Sequence, residues 1–131
     1  MRLGPMLMTA CFACASFATL ARAEGADVGA GLYADSCAAC HGATGHGDGD
    51  MSGVMTIKAP DITKLSAQND GAFPMLKVIH IIDGRSGMRA HGGQMPVFGR
   101  VFSAGTEGYE GVLETRGRVL SLAMYLETIQ E

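Results

Sequence analysis

Cys37-Ala38-Ala39-Cys40-His41 packs more chemistry into five residues than any other stretch of this chain. Two thiols three positions apart stand on about one turn of helix, so both can reach the same edge of a planar group. The histidine that follows can then project its imidazole beneath the centre of that group. This is the spacing by which a porphyrin is held covalently: each thiol adds to one vinyl group, and the imidazole takes the iron. Other uses of a Cys-x-x-Cys pair fit less well. A zinc site wants a second Cys/His pair at suitable spacing, and none follows. A thioredoxin-like pair wants a βαβ setting, which is missing here. The residues point to one covalently attached haem c, with Cys37, Cys40 and His41 holding it.

The iron then needs a ligand on its other side, or it keeps an open position. Candidates are Met51, Met55, Met75, Met88, Met95, Met124, His46, His80 and His91. Met95 is the best placed, in Gly92-Gly93-Gln94-Met95-Pro96-Val97-Phe98-Gly99, where glycines before and a proline after make a loop. Such a loop can carry a thioether to the far face. His91, four positions upstream, is its main competitor. His80 falls in an apolar helical run, and His46 is too close to His41 to reach the opposite face easily. Met75 and Met124 read as core filler. Asp48 to Ser52 faintly echoes a calcium loop, but the twelfth position is Ala59 rather than glutamate.

The elements that position these residues are helical. Asp27–Ala39 reads as a first helix despite Gly29 and Gly31, each costing about 1 kcal/mol against alanine; such glycines make sense where another helix crosses closely. Residues 42–60 form a glycine-rich loop. From Gly71 to Asp83, Met75, Val78, Ile79 and Ile82 recur at helical spacing, with Pro74 in the first turn and Gly84 as the stop. A last helix, from Tyr109 or Glu114 to Gln130, aligns Val119, Leu122, Ala123 and Leu126. No alternating strand pattern is convincing, so the expected fold is all-α. Phe73, Leu76, Ile79, Phe98 and Phe102 are candidates for the haem wall. So short a chain buries a limited core, and the apo chain is expected to fold poorly without the ring.

The chain has 131 residues, with ten Lys+Arg against thirteen Asp+Glu. That length allows one domain at most, and that balance argues against a nucleic-acid partner. The N-terminus has a different character. Met1-Arg2 opens an apolar run from Leu3 to Leu20, and Ala21-Arg22-Ala23 offers a small-x-small cleavage pattern before Glu24. Residues 1–23 therefore read as a secretory signal, with 24–131 the exported domain. An uncleaved membrane anchor is the alternative. Cleavage after Ala23 takes away two arginines and no acids, moving the formal net charge from −3 to −5. It also removes Cys11 and Cys14, a second Cys-x-x-Cys pair that sits in the signal core and is a decoy.

Taken together, these residues resemble the class I, mitochondrial-like, monohaem cytochromes c of bacterial type, over about Asp27 to Gln130. The family carries a glycine and an aromatic residue eight and four positions before the first haem cysteine, where Gly29 and Tyr33 stand. A Leu-x-x-aromatic pair in the last helix meets them, and Leu122 and Tyr125 fit. Pro60 matches the proline whose carbonyl accepts the proximal histidine's Nδ1–H. The run Met95-Pro96-Val97-Phe98-Gly99 resembles the distal loop. The resemblance implies a small all-α fold with terminal helices crossing around one haem, ligated by His41 and Met95. It implies a periplasmic one-electron carrier rather than an enzyme, with protein donors and acceptors as partners and any membrane association made through them or through an uncleaved N-terminus. Two other roles stay open, a haem subunit of a larger oxidoreductase and a ligand-binding sensor with a displaceable sixth ligand. One departure is the absence of tryptophan, which leaves Arg85, Arg89, Arg100 or Tyr109 to replace the family's frequent aromatic partner of a haem propionate.

Overall fold

A computed structural model describes residues 24–84 and 95–131. The signal segment with Cys11 and Cys14, and Arg85, Met88, Arg89 and His91, lie outside the described residues. Within them the chain is helical, with no strand. Helix α1 spans 24–36, and α2 is the single turn Ala38–His41. Then come α3 (Met75–Asp83), α4 (Phe98–Ser103) and α5 (Gly108–Thr128). Two 3-10 turns, Asp50–Gly53 and Ala67–Asn69, lie in the connection between α2 and α3.

The expected first helix is broken near its end. Cys37 departs from helical geometry at φ −122°, although its N–H still bonds the Tyr33 carbonyl at 2.9 Å. The chain then tightens, with the Cys40 N–H on the Cys37 carbonyl at 3.1 Å. The loop that follows packs directly on this turn: a Cβ on Gly49 would come within 2.6 Å of the Ala38 carbonyl oxygen. A side chain there would push the Cys37–His41 turn out of place.

Helix α3 starts later than its apolar pattern suggests, because residues 71–74 are turn and extended chain and Pro74 occupies the N-cap. Gly84 ends it as expected, at φ 78°, with its N–H on the His80 carbonyl at 3.0 Å. Helix α4 was not foreseen. Its six residues make fewer than two turns, too few for a period to repeat, and Gly99 reads as a loop residue. The fold uses that glycine for a close approach, since a Cβ there would stand 2.6 Å from the Asp83 carbonyl oxygen at the end of α3.

Helix α5 packs on both α3 and α4. Its buried face holds Val119, Leu122, Ala123 and Leu126, the four residues that the helical period aligned. It also crosses α1. A Cβ on Gly29 would overlap the Ser121 carbonyl oxygen and lie 2.7 Å from Tyr125 Cβ, so only glycine allows the two backbones so close. The rings of Tyr33 and Tyr125 meet beside this crossing, with centroids 5.2 Å apart. Met124 reaches the same helix and would be 3.0 Å from a Cβ on Gly25. Met75 packs against the core, so both methionines fill space as expected.

Candidate haem-binding site

Helices α1 and α2, the 60–68 segment, α3, Met95 and α5 enclose one cavity of about 540 Å³. Small-molecule and cofactor sites span roughly 300–1,000 Å³. Cys37, His41 and Met95 all contribute to its lining. Three residues expected to serve one group are thus brought to one space, although Met95 is 54 positions from His41 in the chain.

Local structure explains each placement. Cys37 is buried and Cys40 half-buried on the α2 turn, and both are free thiols. Burial pushes the Cys37 thiol up to about 11, with the Cys40 sulfur adding to it. His41 is buried at the end of α2. Its Nδ1 donates to the Pro60 carbonyl at 3.3 Å, as the family resemblance implied. That bond fixes the tautomer and leaves Nε2 as the free lone pair. Burial pulls the His41 pKa below its ordinary value, and the bond to Pro60 opposes this only in part. A neutral imidazole with one nitrogen committed and the other open is the form that binds a metal. Tyr33 supports the turn from beneath, its hydroxyl donating to the Gly42 carbonyl at 2.6 Å.

The remaining sulfur and imidazole candidates fall elsewhere. Met51 is exposed and Met55 half-buried, and neither lines the cavity. Among the described residues Met95 is the only methionine that does. His46 stands on the surface, its Nδ1 3.5 Å from Asp61 Oδ2 and its Nε2 3.5 Å from Glu131 Oε1. His80 is half-buried on α3 away from the cavity lining.

The cavity wall differs from expectation. None of Phe73, Leu76, Ile79, Phe98 and Phe102 lines it. Leu76 is 65% exposed, on the outer face of α3. Phe98 and Phe102 stack on each other at 5.5 Å inside the protein core, and Phe73 and Ile79 pack against that core. Aliphatic side chains make the wall instead: Val78, Ile81 and Ile82 from α3, Leu122 and Leu126 from α5, and Ile62 and Leu65 from the loop. Arg100 and Tyr109 are exposed and do not reach the cavity. Its polar groups are Asp61, Gln68 and Lys77. Lys77 was within reach of the sequence, since it stands one turn before Ile81 on the same side of α3.

The donor set therefore fits a covalently held haem: two thiols on a single turn, of which Cys37 lines the cavity and Cys40 stands beside it without lining it, an imidazole with one nitrogen committed, a thioether lining the same space, and apolar walls. Comparison with curated proteins and with solved structures yields no match. The family model described as cytochrome c, by contrast, matches residues 26–106, from α1 through α4. This stretch holds both thiols, His41, Pro60 and Met95. The chain belongs to the cytochrome c family, whose members bind haem covalently and carry electrons.

Proposed function

We propose that this chain is an exported one-electron carrier with one haem c joined to Cys37 and Cys40 and ligated by His41 and Met95. The observation that carries this reading is the shared cavity, in which Met95 and His41 line the same space. A haem iron held there supplies the Fe(II)/Fe(III) couple. His41 gives a neutral imidazole through Nε2, while its Nδ1 stays committed to Pro60. Met95 gives a soft thioether, which favours Fe(II) and raises the reduction potential. The aliphatic wall from α3 and α5 works in the same direction, because low polarity penalises the extra charge of Fe(III). Were His41 and Met95 both to hold the iron, no position would be left for a substrate, and the haem would serve as a one-electron couple. Proteins that donate and accept electrons are the partners.

Residues 1–23 act as the export signal, which places the mature domain 24–131 in the periplasm, where haem is attached. Two measurements test the reading. The oxidised protein should show the methionine–iron(III) charge-transfer band. The intact mass of the exported protein should equal residues 24–131 plus one haem. Absence of the band, or a mass without haem, would overturn it.

A further inference from the structure

The bond from His41 to Pro60 joins residues 19 positions apart, so α2 by itself cannot hold its partner in place. Pro60 is fixed by what grips the segment after it. On one side the Ile62 N–H bonds the Gly45 carbonyl at 2.8 Å. Asp61 tightens the turn locally, Oδ1 accepting the Thr63 N–H at 2.8 Å and the Thr63 hydroxyl at 2.6 Å. On the other side the grip comes from the far end of the chain. Gln130 Nε2 donates to the Ile62 carbonyl at 2.9 Å and to the Leu126 carbonyl at 2.7 Å. Its Oε1 accepts the Ser66 N–H at 2.9 Å. The Glu131 N–H adds a bond to the Thr63 carbonyl at 2.9 Å.

Gln130 is half-buried, and both its amide hydrogens and its oxygen are engaged. Capping α5 would need only the bond to Leu126. The other two reach the segment that begins with Pro60 and carries the wall residues Ile62 and Leu65. We propose that Gln130 is a positioning residue for the axial histidine, holding the Pro60 carbonyl where it accepts the His41 Nδ1–H. The proposal rests on His41 being the iron ligand. A histidine N–H held by a carbonyl makes the other ring nitrogen a stronger donor. A stronger donor stabilises Fe(III), so a looser Pro60 segment raises the reduction potential.

The test uses the haem-loaded protein with Gln130→Met, which keeps the length without hydrogen bonds. Gln130→Glu accompanies it, keeping an acceptor for Ser66 while losing the donor to Ile62. Gln130→Met should shift the redox equilibrium about threefold toward Fe(II), which is about 28 mV at 59 mV per tenfold for one electron; Gln130→Glu, whose added negative charge itself favours Fe(III), is read by proton exchange alone. In NMR spectra of the reduced protein, the His41 Nδ1–H should exchange with solvent faster than in the parent. If Gln130→Met does not accumulate, Gln130→Glu carries the exchange comparison. A lower melting temperature with potential and exchange unchanged would overturn the proposal and leave Gln130 as a cap on α5. A parent without the ring N–H signal of an iron-bound imidazole would overturn the ligation reading, and the proposal with it.

Discussion

The Ser121 carbonyl fills the place where a side chain on Gly29 would stand, and the two backbones meet there without a spacer. The contact lies on the side of α1 that also presents Tyr33 to Tyr125. It ties α1 to α5, and both helices contribute residues to the cavity that Cys37 and His41 line.

Gly29→Leu is expected to force α1 off α5, and Tyr125→Ala to empty the ring contact. Each should cost about 2–4 kcal/mol, the range of overpacked and emptied cores. Thermal unfolding of the oxidised protein checks this. Unchanged melting curves for both would remove the crossing as a source of stability.

Tyr33→Phe deletes the hydroxyl that the Gly42 carbonyl accepts. The expected loss is about 1 kcal/mol for the bond, rising toward 3 kcal/mol if the carbonyl finds no other donor. Burial, then the Cys37, Tyr125 and Asp48 side chains, push this hydroxyl up to about 12. In the unfolded chain it ionises near 10. The unfolded state therefore loses its proton first as pH rises, and the contribution is complete below about pH 10 and lost through about pH 12. Denaturant titrations of parent and variant should converge across that window. A stability difference that stayed constant through it would contradict the assignment.

Met95→Ala is expected to open the sixth position, lower the reduction potential and let carbon monoxide bind the reduced form. Met88→Ala should do none of these. Visible spectra of both variants, with and without carbon monoxide, decide between the two sulfurs. Loss of the methionine–iron band in Met88→Ala alone would mean the wrong one had been assigned.

Cys37→Ala and Cys40→Ala should each leave at most one thioether and a poorly accumulating protein, while Cys11→Ala and Cys14→Ala leave haem content unchanged. Denaturing gels stained for covalent haem read this directly. A normal two-thioether spectrum from exported Cys40→Ala would place attachment elsewhere.

Those variants sample features of two kinds. The turn that carries Cys37, Cys40 and His41 was legible because its geometry is local: thiol spacing and the adjacent imidazole depend on one short stretch of chain. The Gly29–Tyr33 and Leu122–Tyr125 spacings were legible as faces of helices, and their meeting followed from the family resemblance. The buried stripe of α5 was legible for the same reason, since a period of 3.6 residues names the face that turns inward. The wall of the cavity was not. Periodicity marks Val78, Ile79 and Ile82 alike as apolar, but whether a residue meets the cavity or the helices behind it depends on how α3 packs against α4 and α5. Phe98 and Phe102 were drawn into the protein core by their own contact, in a helix too short to show a period.

The sequence by itself determined the thiol and imidazole spacing of Cys37, Cys40 and His41 and which helix faces are apolar, because both are properties of neighbouring residues. Only the tertiary structure decided what holds the ligands in place. The Gln130 amide reaches Ser66 and Ile62 across 64 and 68 residues. These bonds end on backbone groups that every residue possesses, so no residue type or spacing announces their partners before the chain has folded.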